Sequence, residues 1–322
     1  MIFNVGIIGL GMIGESMLGE FLNHPAFNVH TVWDLNETIN EHISSRFPGV
    51  QTAKDAKAII EDPHIDLIYI ATPPLTHIDY AWQTVHAKKA LLCEKPLAID
   101  LASSRELVKE VEERGIPTAM NFVYVAGDVV DAIENQLSSG VLGKVQSVEI
   151  RYQFPSWPLP NQLSAASWIS KRDQGGMIRE MFSHFVYLIH RLFGVLEVDS
   201  TILYFPEPDA NQGTETFVLS HLRTGAIPIW LMGGIGGIHA PRESEFTIHG
   251  TQASLRLGSS NNISISDSGS WHQLSVVRRF PSDAQARLGE LAKLLAGEPS
   301  KLPDLRAGLE VQNVIETILT FP

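Results

Sequence analysis

Residues 2–14 read Ile-Phe-Asn-Val-Gly-Ile-Ile-Gly-Leu-Gly-Met-Ile-Gly, and Asp34 stands twenty residues after the last of them. An apolar strand at 3–8 runs straight into Gly9-x-Gly11-x-x-Gly14, and a helical stretch follows at 15–22. Each glycine has a physical task in a turn that holds a pyrophosphate. Gly9 permits the tight exit from the strand, Gly11 lets a phosphate approach the backbone, and Gly14 lets the helix lie close to the sheet. With Met12 and Ile13 between them, they open a helix whose N–H groups and positive dipole end face the anion. A second strand at 29–33 ends in Asp34, whose carboxylate can accept hydrogen bonds from both hydroxyls of a ribose. The glycine pattern alone would be weak. The strand before it, the helix after it and the acid at this spacing make it a dinucleotide-binding signature.

The pattern continues as alternating strand and helix to about residue 120, with strands at 66–71, 90–93 and 117–121 and helices at 37–46, 54–61, 76–86 and 101–114. Such alternation predicts a parallel sheet with helices on both faces, and a run such as Leu67-Ile-Tyr-Ile-Ala suits a strand covered on both sides. After 121–127 the character changes. A helix at 128–138 leads to a strand at 145–154, a Pro-rich loop and a long helix at 177–193. Strands then dominate from 195 to 277, with turns at Pro206-Glu-Pro-Asp, Arg223-Thr-Gly, His249-Gly-Thr and Gly258-Ser-Ser-Asn-Asn. Helices at 283–295 and 304–319 close the chain. The predicted fold is α/β. A Rossmann domain spans 1–122, and an α+β domain with a largely antiparallel, open-faced sheet spans 123–322, its last helices able to pack back on the first domain.

Composition bounds the function. The chain has 322 residues, 44% apolar and 19% charged, an ordinary globular balance. No stretch approaches the ~20 apolar residues of a membrane span, and no basic segment precedes an apolar one at the N-terminus, so no secretory signal is expected. The net charge is −12 and no Lys/Arg run occurs, which disfavours nucleic acid as a partner. One cysteine, Cys93, permits no internal disulfide and suits the cytoplasm. The histidines do not fall at metal-ligand spacing, and no zinc site is expected.

Three further clusters carry chemistry. The strand 90–93 ends in Glu94-Lys95-Pro96. Ligands of a doubly wound sheet sit outside the carboxyl ends of its strands, so Lys95 emerges where a nicotinamide would lie and could exchange a proton with a substrate hydroxyl. By spacing alone the commoner reading is a solvated lysine paired with Glu94. The strand 66–71 ends in Ala71-Thr72-Pro73-Pro74, with His77 beyond. This stiff turn can wall the cofactor and Thr72 can donate to it, although prolines also simply end strands and His77 reads more as a first-turn residue than a catalyst. Gln174-Gly175-Gly176 precedes Arg179, Glu180, His184 and Tyr187. Glu180 and His184 are four apart on one helix face, able to relay a proton or orient a hydroxyl, and equally readable as an ordinary polar pair.

Together these pieces resemble the Gfo/Idh/MocA family of dinucleotide-dependent oxidoreductases over almost the whole chain. The likeness includes the glycine turn, Ala71-Thr72-Pro73-Pro74…His77, Glu94-Lys95-Pro96, Asn121, Ser167-Trp168 before Gly175-Gly176, Glu180-x-x-x-His184, His249-Gly-Thr-Gln-Ala-Ser-Leu and the final Leu305-Arg-Ala-Gly-Leu-Glu helix. The resemblance implies Lys95 as catalytic acid/base, His184 and Glu180 as its substrate-side partners, and Asn121 beside nicotinamide and substrate. It also implies a homodimer or homotetramer through the open sheet. Tyr124, Trp168 and Tyr187 complete the expected substrate set. The sequence departs from the family pattern at Glu180 where Asp is usual, at Phe182 where Gly is frequent, at Tyr187 where sugar-acting members carry Asp, and at Phe122-Val123-Tyr124 where Arg is common. A less charged, more aromatic site is expected.

The function implied is hydride transfer between nicotinamide and a small sugar, polyol or cyclic alcohol or ketone, with Lys95 as acid/base. NAD is expected over NADP, because Asp34 would repel a 2′-phosphate and no Arg or Lys occurs in Leu35-Asn-Glu-Thr-Ile-Asn. A non-catalytic dinucleotide- or sugar-binding sensor of the same fold is the alternative from another class. A third reading, also enzymatic, is a tightly bound cofactor recycled between two sugars.

Overall fold

The computed structural model describes residues 1–206, 213–237 and 241–322. Two compact units emerge, one formed by Met1–Val125 with Pro281–Gln312, the other by Ala126–Phe280 with Asn313–Pro322.

In the first unit β1 (Phe3–Ile8), α1 (Met12–Leu22), β2 (Phe27–Trp33), α2 (Glu37–Arg46), α3 (Ala56–Glu61), β3 (Leu67–Ile70), α4 (His77–His86), β4 (Ala90–Cys93), α5 (Leu101–Arg114) and β5 (Thr118–Met120) follow in order. The sheet is wholly parallel, in the order β2-β1-β3-β4-β5. All four residues of β3 and of β4 are buried, as a sheet covered on both faces requires. The order of strand addition reverses between β1 and β3, and the carboxyl ends of these two strands form the switch point at which such sheets bind ligands.

Small differences from the expected boundaries have local causes. β2 begins two residues early because Phe27 is buried edge-on to Phe21, ring centroids 5.1 Å apart. α3 begins late because the Asp55 carboxylate accepts the Ala58 N–H at 2.7 Å and so caps the helix from outside. Pro74–Thr76 forms a 3₁₀ turn ahead of α4. Leu288 and Leu291, from a helix near the C-terminus, share one apolar core with Val5, Leu18 and Tyr69.

The second unit contains α6 (Asp128–Ser138), β6 (Val145–Phe154), the short α7 (Ala166–Ile169) and α8 (Ser183–Phe193). Its strands continue with β7 (Glu197–Tyr204), β8 (Phe217–Thr224), β9 (Ile227–Ile235), β10 (Glu243–Gly250), β11 (Ser254–Leu257), β12 (Ile263–Ser266) and β13 (His272–Gln273). α9 (Asp283–Leu295) belongs to the first unit, and α10 (Leu305–Thr320) contributes to both. Among the described residues the second sheet has the order β13-β12-β11-β10-β6-β9-β8-β7. It is antiparallel except where β6 pairs with β9. The α/β class, with one parallel and one largely antiparallel sheet, is borne out. Alternation along β8 and β9 buries Val218, Ser220, Leu222, Ile229 and Leu231 on one face. The turn expected at 206–209 lies, after Pro206, outside the described residues.

The expected long helix at 177–193 differs in kind. Ile178–Phe182 forms a π turn, and α8 starts only at Ser183. Glu180 therefore lies in the wider turn and His184 in the α-helix proper, so their four-residue spacing is not that of one regular helix face.

Candidate active site

The glycine turn meets the demands its sequence suggested. Gly9 has φ +95°, and a Cβ there would lie 2.6 Å from the Ala71 carbonyl, so the backbone at the end of β1 touches that at the end of β3. A Cβ on Gly14 would fall 2.0 Å from the Gly9 oxygen, which fixes the closeness of α1 to the turn. Around Gly11 nothing lies within 4 Å of an added Cβ. Gly11 is the N-cap of α1 and brings no side chain to its first-turn N–H groups. An open backbone position at a helix N-terminus, at the sheet's switch point, fits a pyrophosphate. Met12 and Ile13 are both exposed beside it.

Asp34 follows β2 and is oriented by the backbone. Its Oδ2 accepts the Leu10 N–H at 2.8 Å, and its Oδ1 accepts the Asn36 N–H at 2.9 Å. Asn40 braces the same corner, its Oδ1 accepting the Asp34 N–H and its Nδ2 donating to the Asp34 oxygen. Each carboxylate oxygen has two lone pairs, so this arrangement aims the carboxylate while leaving it capacity for ribose hydroxyls.

At the end of β3, Thr72 Oγ1 accepts from Thr76 Oγ1 at 2.8 Å. His77 is 1% exposed, with Nδ1 2.8 Å from the Pro96 oxygen and Nε2 2.7 Å from the Thr72 oxygen. Carbonyl oxygens only accept, so each ring nitrogen faces an acceptor and the tautomer sets which one donates. His77 thus ties the Ala71-Thr72-Pro73 turn to Pro96. The sequence suggested a first-turn residue, and its ring is a buttress between the two loops.

Glu94, at the end of β4, is 7% exposed. Its Oε1 accepts from the Tyr69 hydroxyl at 2.7 Å and from Asn121 Nδ2 at 2.5 Å. Asn121 follows β5, and its Oδ1 accepts from Arg287 Nε of α9 at 3.0 Å. Burial, then the neighbouring Glu94, push the Tyr69 phenol well up, so it stays a donor. Lys95, next in the chain, is half-buried. Tyr124 is half-exposed, its phenol raised by burial and then by Asp283.

In the second unit, Glu180 is 6% exposed and His184 is half-buried. Tyr187 is 3% exposed and hydrogen-bonds Arg191, whose Nη2 lies 2.6 Å from Glu134 Oε1. Trp168 is half-buried in α7. Phe182 is fully buried in the unit's core: its ring packs edge-on to Tyr152 with centroids 4.8 Å apart, and a Cβ on Gly233 would meet it at 2.7 Å. The ring is core filling matched to a glycine on β9.

The π turn has its own supports. Arg179 forks onto Glu316 of α10, Nε to Oε1 at 2.7 Å and Nη2 to Oε2 at 2.8 Å. Glu215, 1% exposed, accepts the Ile178 N–H at 2.6 Å. Gly176, with φ +105°, leaves the room this carboxylate needs, since a Cβ would stand 2.6 Å from its Oε2. Burial pushes the Glu215 carboxyl up to about 7, against the pull of the Ile178 amide and of Arg179 and Arg172.

The profile of the Gfo/Idh/MocA oxidoreductase family, NAD-binding Rossmann fold, matches residues 3–122, and that of the family's C-terminal alpha/beta domain matches residues 134–320. The chain belongs to this family. A curated relative, levoglucosan dehydrogenase of Pseudarthrobacter phenanthrenivorans, is 26% identical over 72% of this chain and 65% of its own length. The chain spans about three fifths of the length of the curated relatives it matches.

Among solved structures, the 3-ketoreductase KijD10 of Actinomadura kijaniata, in complex with NADP and TDP-benzene, superposes with a TM-score of 0.82. It is 19% identical, covering 99% of this chain and 97% of that one. Biliverdin reductase of Synechocystis sp. PCC 6803, with biliverdin and NADP+, gives 0.79 at 23% identity, covering 98% and 97%. At these identities the likeness is one of fold.

Within this Gfo/Idh/MocA chain, several polar residues escaped the sequence reading: Tyr69, Arg287, Glu215 and Glu316. None lies in a motif. For Tyr69, Arg287 and Glu316 the only signal is a charge or hydroxyl inside an apolar run or on the inner face of an amphipathic helix, and Glu215, in Gly213-Thr-Glu-Thr, carries none. Among the described residues, no helix is long and apolar enough to cross a membrane, and no cluster of His, Cys, Asp or Glu could hold a metal.

Proposed function

We propose that this protein is an NAD(P)-dependent oxidoreductase acting on a small sugar, polyol or cyclic alcohol or ketone. The observation that carries the reading is the open Gly11 position at the switch point between β1 and β3, on the same sheet edge as Glu94 and Lys95. The turn from Gly9 to Gly14 would hold the pyrophosphate, and Asp34 the adenosine ribose. Ala71, Thr72, Pro73, Glu94 and Asn121 would line the far half, with His77 bracing it. When bound, the nicotinamide supplies the hydride acceptor or donor.

The chain's own residues would handle the proton and the substrate. Lys95 Nζ takes the proton of the reacting hydroxyl in oxidation and returns it in reduction. His184 hydrogen-bonds the reacting or adjacent oxygen, and Glu180 balances its charge. Trp168 and Tyr124 supply apolar walls suited to the C–H faces of a ring. Tyr187, bonded to Arg191, would act by holding α8 in place.

For the cofactor, Asp34 favours NAD, because its carboxylate would face a 2′-phosphate. NADP in the structures of biliverdin reductase and KijD10 makes the other choice concrete. The reading extends to a homodimer or homotetramer through the open sheet face, where Ile202, Tyr204 and Trp230 are 52%, 61% and 50% exposed. Cytoplasmic residence belongs to the same proposal.

The test is a screen of sugars, inositols and small ketones in both directions by NADH and NADPH absorbance, on the native protein and Lys95→Ala. Turnover should fall by about 10²–10⁴-fold in the variant, with NADH affinity retained. Equal turnover would remove Lys95 from the chemistry, and native binding of NADPH above NADH would overturn the role given to Asp34.

A further inference from the structure

We propose that Arg287, on α9 near the C-terminus, is a positioning residue for the nicotinamide end of the cofactor site, an inference that rests on the oxidoreductase reading above. It starts from the strand order. With the pyrophosphate at the switch point between β1 and β3, and the adenosine on the β2 side at Asp34, the other nucleoside must extend past the ends of β3, β4 and β5. The polar groups at the ends of β4 and β5 are Glu94 and Asn121, and they are joined to each other by the 2.5 Å contact from Asn121 Nδ2 to Glu94 Oε1.

Arg287 decides how that pair is arranged. Its Nε donates to Asn121 Oδ1 at 3.0 Å, and its Nη1 reaches the Val123 oxygen at 3.5 Å. A guanidinium only donates, so Asn121 must turn its carbonyl toward Arg287 and its amide toward Glu94. The amide of Asn121 could be placed either way round by its own backbone; Arg287 removes the choice. Tyr69, fully buried beneath, supplies the second donor to Glu94 Oε1. A chain of four side chains from β3, β4, β5 and α9 thus fixes the residue that precedes Lys95.

The burial is what makes this arrangement specific. Arg287 is 9% exposed, Asn121 and Glu94 are each 7% exposed, and Tyr69 is 0% exposed. Burial lowers the Arg287 guanidinium from its ordinary value, against the charges of Glu94 and Asp283. In so dry a place each donor meets its acceptor or leaves it unsatisfied at a cost. A surface ion pair would do none of this. Leu288 and Leu291 anchor α9 in the apolar core of the same unit, so Arg287 projects from a fixed helix.

A general stabilising role and a positioning role separate by the ligand used. ADP-ribose engages the glycine turn and Asp34 but has no nicotinamide; NADH has both ends. Calorimetric titration of each into native protein, Arg287→Met and Arg287→Lys, together with thermal melts, reads the difference. NADPH and 2′-phospho-ADP-ribose serve as the matched pair if the native protein prefers them. Positioning predicts that NADH affinity falls about tenfold in Arg287→Met, the loss of one oriented hydrogen bond, while ADP-ribose affinity stays within twofold. Arg287→Lys keeps the charge but not the fork, and should show the same preferential loss at smaller size.

If NADH and ADP-ribose weaken together, or if neither changes, the inference is overturned. Should Arg287→Met not fold, Arg287→Lys decides by the same ratio. Native protein that binds neither NADH nor NADPH would sink the oxidoreductase reading and this inference with it. Native binding with an unchanged ratio in the variants would sink only the inference.

Discussion

Glu94 in the first unit and Glu215 in the second are both shut away from water, at 7% and 1% exposure, but they keep different company. Glu94 receives two side-chain donors, Tyr69 and Asn121, with Arg287 one step behind. Glu215 receives only backbone amides there, from Ile178 and from its own residue, and both its oxygens stand over the bare Cα of Gly176. The forked ion pair nearby is spent on Glu316. The first unit thus fixes a carboxylate by surrounding it with donors. The second tolerates one by letting its proton affinity rise, up to about 7. Rigid geometry beside Lys95 and a titratable support under the turn that carries Glu180 are the respective results.

The largest effect expected on this comparison comes from Arg179→Met. It strands Glu316 without its fork in the second unit and should cost about 3–5 kcal/mol, read as a lowered urea midpoint. A loss below about 1 kcal/mol would place the pair among solvated ones.

Glu215→Gln comes next and goes the other way. The Glu215 carboxyl is raised from 4.5 to about 7, so between those values the folded protein holds a proton that the unfolded chain has released. Its contribution to stability therefore falls as pH rises through that window and stays low above it. Glutamine keeps an acceptor for Ile178 and carries no charge. Relative to native, the variant should match at pH 4.5 and gain on the order of 3 kcal/mol at pH 8. Denaturation series across pH would show it, and a constant difference would mean that Glu215 is ionised throughout.

Tyr69→Phe is the smallest change. It removes one of two donors from Glu94 and should cost about 1–2 kcal/mol, read as a lowered urea midpoint. An unchanged midpoint would remove the Tyr69 hydroxyl from the set that holds Glu94.

Much of the first unit was legible because its signals are local. The strand-turn-helix pattern of residues 3–22, the apolar run at Leu67–Ile70 and the Asp100-capped helix Leu101–Arg114 are all decided by neighbours in sequence. The π turn at Ile178–Phe182 was not legible, since a helical window with apolar spacing looks the same for either winding. Phe182 shows how a departure can mislead. Read against a family pattern it suggested an aromatic site, whereas its ring fills the space above Gly233, a residue 51 positions away.

The sequence by itself determined the class of fold, the dinucleotide turn with its three glycines, and the family. Those features depend on backbone conformations and periodicities that short stretches impose on themselves. Only the tertiary structure decided which buried polar groups answer one another: Arg287 with Asn121, Tyr69 with Glu94, Arg179 with Glu316, Glu215 with the Ile178 amide. A buried polar residue carries no mark of its partner in its own neighbourhood. The partner is fixed by the cost of leaving a donor or acceptor unmet once distant segments have closed around it.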